Sequence, residues 1–132
     1  MSWVVDTSVL LDIHLADEAF SRASAECMVK YCGQGLIISP VTHVELASAF
    51  DGNAALQEQF LAEVGVEWPA FWTIRDTQAA HDLWAAHIRK KHEGRAEKRP
   101  VADMPIEAFA QRFEGLITRN PKHLTTVPVI VP

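Results

Sequence analysis

Short apolar runs alternate with helical periodicity along the whole chain. Trp3-Val4-Val5 predicts a strand buried on both faces, and it ends at a carboxylate, Asp6. Leu36-Ile37-Ile38 predicts a second, bounded by Gly33-Gln34-Gly35 and Ser39-Pro40. Leu116-Ile117-Thr118 follows Gly115, and Val129-Ile130-Val131 follows Pro128. Helices are predicted between them. Asp17 to about Tyr31 places Phe20, Ala23, Cys27 and Tyr31 on one face and stops at Gly33. Val41 to Phe50 turns Val41, Val44, Leu46 and Ala49 toward a core. Asn53 caps a helix carrying Leu56, Phe60, Leu61 and Val64, which Gly65 ends. Asp76 is the expected cap of the next, with Ala80, Leu83, Trp84, Ala86, His87 and Ile88 inward. Asp103, just ahead of Pro105, opens a last helix to about Glu114 with Ile106, Phe109, Ala110 and Phe113 buried. Short apolar strands, each followed by helix, predict an α/β fold: three α/β/α layers around a central, mostly parallel sheet.

Composition narrows the class. A chain of 132 residues carries a prior of one domain, residues 1–132, and shows no repeat, linker or low-complexity tract. Its 48% hydrophobic and 22% charged residues exclude a disordered chain. Cys27 and Cys32 are too few for a disulfide scaffold, and two free thiols suggest a reducing, cytosolic setting. The start, Met1-Ser2-Trp3-Val4-Val5-Asp6, has no basic n-region, so a signal peptide is not expected. No apolar run approaches the ~20 residues of a membrane helix, and a cytoplasmic protein is expected.

The net charge of -5 argues at first against a polyanionic partner. The distribution changes that picture. Residues 1–88 sum to -9 and residues 89–132 to +4, with six cations between Arg89 and Arg99. That run serves equally well as a solvated helix end, where cations favour the negative end of the dipole.

In an open parallel sheet, ligands bind beyond the carboxyl ends of the strands. Asp6 ends the first strand, Glu45 follows the second by about one helical turn, and Asp103 opens the helix leading to the third. Three carboxylates on one edge repel by roughly 3–4 kcal/mol per close pair at an effective dielectric near 20. A hard divalent cation, magnesium or manganese, relieves that repulsion with all-oxygen ligation. Each acid also has a plainer role. Asp6 can cap the helix that follows it, Asp103 is a good N-cap, and Glu45 can face solvent. Asp12 reads as a solvated or outer acid. The six histidines have no metal-ligand spacing, and the four tryptophans read as core.

Four segments in order resemble a known family, the PIN domain. Val4-Val5-Asp6-Thr7-Ser8-Val9-Leu10-Leu11-Asp12 resembles its opening strand and helix. Ser39-Pro40-Val41-Thr42-His43-Val44-Glu45-Leu46 resembles its second acidic segment. Pro100 to Ala108 resembles the segment of its third acid, and Leu116-Ile117-Thr118-Arg119-Asn120 its final strand and turn. Order and spacing cover essentially the whole chain, and the length is that of the VapC-type toxins. The resemblance implies a PIN-like fold and a ribonuclease using Mg2+ or Mn2+ held by Asp6, Glu45 and Asp103. Ser8, Thr118 and Asn120 would lie beside the metal, and Arg119, Arg95, Lys98 and Arg99 would position the RNA backbone. It also implies a cognate antitoxin and a homodimer.

Three departures stand out. Asn120 supplies no charge, Pro105 is expected to interrupt the helix early, and Lys122-His123 stand where an acid usually follows the final turn. They keep a second function class open, a PIN-fold RNA- or partner-binding module with weakened turnover. A phosphate-transferring hydrolase using Asp6 as nucleophile is disfavoured, because Ser8 occupies the place of its second acid. Neither a Gly-x-Gly-x-x-Gly turn nor a P-loop is present.

Overall fold

Alternation along the strands builds the core. β1 (Trp3–Val5), β2 (Leu36–Ile37), β3 (Val66–Glu67), β4 (Gly115–Ile117) and β5 (Val129–Ile130) form a parallel sheet in the order β3-β2-β1-β4-β5. The computed structural model describes residues 2–68, 71–94 and 101–132. Successive side chains of a strand point to opposite faces. Trp3, Val5, Leu36, Ile38 and Ile117 accordingly join one core cluster, and Val4, Ile37 and Leu116 the other. On the first face lie α1 (Thr7–His14), α2 (Ser21–Tyr31) and α4 (Ala54–Glu63), which contribute Val9, Leu10, Cys27, Met28 and Leu61. On the second lies α6 (Asp103–Ala110), through Ile106, Phe109 and Ala110, with α5 (Ile74–His92) packed against it. This is the expected three-layer α/β/α arrangement. Burying a side chain such as Leu10 or Phe109 contributes about 1.5–3 kcal/mol each.

The strand order reverses at β1. From β1 the chain moves outward to β2 and β3, then returns to lay β4 on the other side of β1. Gly115 makes that return possible. A Cβ there would collide with the Pro128 carbonyl and the Trp3 ring, so only glycine lets β4 sit between β1 and β5.

Several local expectations are corrected. β3 is a two-residue strand too short to leave a pattern, recognised only by its pairing with β2. α2 begins at Ser21 because the Asp17 carboxylate first accepts the Ala19 and Phe20 amides in a turn. The predicted 41–50 helix divides into α3 (Pro40–Glu45), capped by Ser39, and a 3-10 turn over Leu46–Phe50. Val44 is 73% exposed rather than inward, and Trp68 and Trp84 are also exposed. Pro105 does not interrupt α6. Ala102 is the N-cap and Asp103 the first helical residue, so Pro105 falls in the first turn, where an amide has no intrahelical partner to lose. α6 ends at Ala110 rather than near Glu114.

α5 is capped by Thr73 rather than Asp76. The Thr73 hydroxyl accepts the Asp76 amide at 3.3 Å, and the Asp76 carboxylate accepts the Thr73 amide at 2.8 Å, a capping box. Asp76 is buried, and Arg112 forks onto it at 2.7 and 2.9 Å while also donating to the Phe71 carbonyl. Burial alone would raise the Asp76 carboxyl, but the bonds and charge of Arg112, with those of Thr73, outweigh it and hold it below its ordinary 3.8. A carboxylate depressed in the folded state stabilises the fold fully above the unfolded value, and that contribution is lost as pH falls through the folded one. Arg112→Ala strands this buried charge and is expected to cost about 3–5 kcal/mol. Urea titrations should show that loss at neutral pH, and a shallower fall in stability below pH 3.8 than in the parent.

Candidate active site at the carboxyl ends of β1 and β4

The reversal of strand order opens a crevice beyond the ends of β1 and β4, where two neighbouring connections leave in opposite directions. Asp6 leaves β1 there and Thr118 leaves β4. The ladder aligns them: Val5 pairs with Ile117, and the Asp6 amide donates to the Ile117 carbonyl at 2.9 Å. The Thr118 hydroxyl donates to Asp6 Oδ2 at 2.7 Å, and the Ser8 hydroxyl to the same oxygen at 3.0 Å. Asp6 Oδ1 accepts the Thr7 amide at 2.9 Å, so Asp6 also caps α1. These bonds use three of a carboxylate's roughly four acceptor positions and orient the group. The Asn120 backbone N–H closes the chain by donating to Thr118 Oγ1 at 3.1 Å.

A cleft of about 430 Å³ opens from this point. Asp6 and Asp103 both line it, with Thr118, Arg119 and the run Asn120 to Leu124. A larger depression of about 620 Å³ lies along β3, but its charged lining is Glu58 and Glu67, acids with no cation among the lining residues. The converging donors and acceptors belong to the smaller cleft.

The remaining sequence candidates fall around it. Glu45 is exposed at the end of α3 and lies outside the lining; its Oε1 accepts from the Thr7 hydroxyl at 2.7 Å, one residue from Asp6. Thr7 also meets the buried Thr42 hydroxyl at 3.0 Å, so the start of α1 and α3 are joined by side chains that sequence spacing did not single out. Among the described residues, no three His, Cys, Asp or Glu side chains group closely enough to cage a metal. Arg119 lines the cleft, yet its guanidinium is engaged with Asp12 through bonds of 2.8 and 2.8 Å and lies 4.2 Å over the Phe20 ring. Asp12 is 3% exposed, not solvated, and also accepts from Ser24. Arg95, Lys98 and Arg99 lie outside the described residues.

Glu107 was not anticipated. One turn beyond Asp103 on α6, it is fully buried and accepts from Thr125 and Thr126. A carboxylate among Ile106, Ala108 and Phe109 was the available signal, because a buried charge requires partners.

Among solved structures, a chain of VapBC2 from Rickettsia felis, bound to a DNA fragment from their promoter, matches with a TM-score of 0.70. The match covers 99% of this chain and 98% of that one, at 13% sequence identity. The fold is PIN-like. No family model matches the sequence, and no curated protein does. At that identity the likeness concerns the fold, and the chemistry of this PIN-like chain rests on its own side chains.

In this PIN-like fold, Arg119 and Asp12 join the turn after β4 to α1. Arg119→Ala leaves the buried Asp12 charge with the Ser24 hydroxyl but without its guanidinium, and is expected to lower stability by about 3–5 kcal/mol. A double-mutant cycle with Asp12→Asn should return a coupling of about 1–3 kcal/mol by chemical denaturation. Additive single losses would mean the pair is not coupled.

Proposed function

We propose that this chain is a metal-dependent endoribonuclease of the cytoplasm, the toxin of a toxin–antitoxin pair, cutting phosphodiesters of single-stranded or structured RNA. The observation that carries this reading is Asp6, oriented at the strand-order reversal by Thr118, Ser8 and Thr7, and sharing its cleft with Asp103. The VapBC2 neighbour supports an antitoxin partner. A homodimer, implied by the sequence resemblance, belongs to the same proposal.

The cleft's donor chemistry suits Mg2+ or Mn2+. Carboxylates, hydroxyls and an amide are hard oxygen donors, and Mg2+ commonly uses one or two carboxylates while keeping several waters. Asp6 and Asp103 would hold the ion directly. Glu45 would act through Thr7 or through water. When bound, the cation would supply charge neutralisation at the scissile phosphate and a water of lowered pKa. Thr118 and Ser8 hold the Asp6 carboxylate in one orientation at the cleft lining. Arg119, committed to Asp12, orders the turn that carries Asn120 rather than reaching freely for phosphate.

A second reading, a binding module with weakened turnover, is favoured by two observations: Glu45 stands outside the cleft lining, and Asn120 brings no charge to it. Cleavage of labelled mixed-sequence RNA by antitoxin-free protein separates the two, run with Mn2+, Mg2+ and chelator. The nuclease reading expects metal-dependent cuts that Asp6→Asn and Asp103→Asn abolish. Thr118→Val should lower Mn2+ affinity about 10- to 100-fold, the usual cost of losing a group that orients a ligand. RNA and Mn2+ binding without cleavage would move the assignment to the binding module. Absence of all three would reduce these acids to caps and surface charge.

A further inference from the structure

The connection from β4 to β5 is held at each end by a buried carboxylate that itself stays out of the cleft. At its start, Arg119 is forked onto Asp12. Toward its end, Glu107 Oε2 accepts the Thr125 amide at 3.4 Å, the Thr126 amide at 3.2 Å and the Thr126 hydroxyl. Gln111, the C-cap residue of α6, donates to the same hydroxyl at 2.9 Å. Between the two anchors, Asn120 to Leu124 all line the cleft. Leu124 and Val127 pack into the core cluster beneath, and the Leu124 amide bonds the Pro121 carbonyl.

Each anchor belongs to a helix that also carries a cleft acid. Asp6 caps α1, which holds Asp12, and Asp103 opens α6, which holds Glu107. The segment is therefore set in place relative to both acids before any ligand arrives, which removes an ordering cost that binding would otherwise bear. Its polar side chains include the Asn120 amide, which can hydrogen-bond a base edge, and the His123 ring, on which a base can stack.

We propose that Asn120–Leu124 is the wall that seats single-stranded RNA, with Asn120 and His123 as specificity-determining residues and Asp12 and Glu107 as positioning residues. That the seated phosphate is the one cut rests on the nuclease reading; the wall itself is testable without it.

The test measures binding of a fluorescent, mixed-sequence single-stranded RNA in chelator, beside amide hydrogen exchange at Thr125 and Thr126. Thr126→Val, chosen because Glu107→Ala risks unfolding, removes one donor. It should speed that exchange and weaken RNA binding, each about five- to tenfold, the scale of one hydrogen bond. Glu107→Gln keeps an oxygen acceptor without its charge and should shift both in the same direction as Thr126→Val. Asn120→Ala and His123→Ala should weaken RNA binding about tenfold without changing exchange at Thr125 and Thr126. Arg22→Ala, an exposed cation on α2, controls for general charge loss. Faster exchange with unchanged affinity in Thr126→Val overturns the positioning role, and parental affinity in both Asn120→Ala and His123→Ala overturns the wall. No RNA binding by the parent also overturns it. RNA binding that follows these variants, in a protein that cuts nothing with either metal, sinks the nuclease reading and leaves the wall standing.

Discussion

The Thr118 hydroxyl and the Asp6 carboxylate are 112 positions apart, and their 2.7 Å hydrogen bond depends on the β1–β4 ladder. With Val5 opposite Ile117, the residue that leaves each strand reaches the same edge at the same height. A slip of one residue would turn Thr118 to the opposite face and leave Asp6 without its shortest donor. Register is therefore the constraint from which the site follows. It is enforced from two sides, by core packing of Leu116 and Ile117 on opposite faces and by the absence of a side chain at Gly115.

Buried carboxylates carry a second level of organisation. Asp12, Asp76 and Glu107 are all buried, and each ties a helix to a segment distant in sequence. Asp76 joins α5 to Arg112, Asp12 joins α1 to Arg119, and Glu107 joins α6 to Thr125 and Thr126. A charge removed from water needs specific donors, so each of these acids accepts few alternative arrangements. The two acids lining the cleft belong to a different class: Asp6 and Asp103 are half-buried and sit where strands end or helices begin. The core therefore uses acids to hold the frame, and the cleft uses them where a ligand can reach.

Much of this was legible in the chain. The apolar runs at 3–5, 36–38 and 116–118 mark strands because both faces are covered, and Asp6, Asp103 and Thr118 follow as residues at strand ends or helix starts. Local chemistry that depends on one turn was less secure. Thr73 and Asp76 satisfy each other reciprocally, so either is a reasonable cap from sequence, and only the backbone geometry separates them. Val44 reads as inward from its apolar character, yet α3 turns Thr42 to the core, and Val44, more than half a turn round the same helix, faces solvent.

What the sequence determined by itself is the class of fold and the residues that lie at its carboxyl edge, because hydrophobic periodicity is a local property and the edge follows from strand direction. The tertiary structure decided which charges meet. Arg119 reads as a free cation until the β4 turn lies against α1, and Glu107 reads as one acid among many until the connection to β5 crosses α6. Two residues at β3 become a strand only because Leu36 and Ile37 stand beside them. Pairings of this kind depend on distances between segments far apart in the chain, and those distances exist only once the strands have chosen their neighbours.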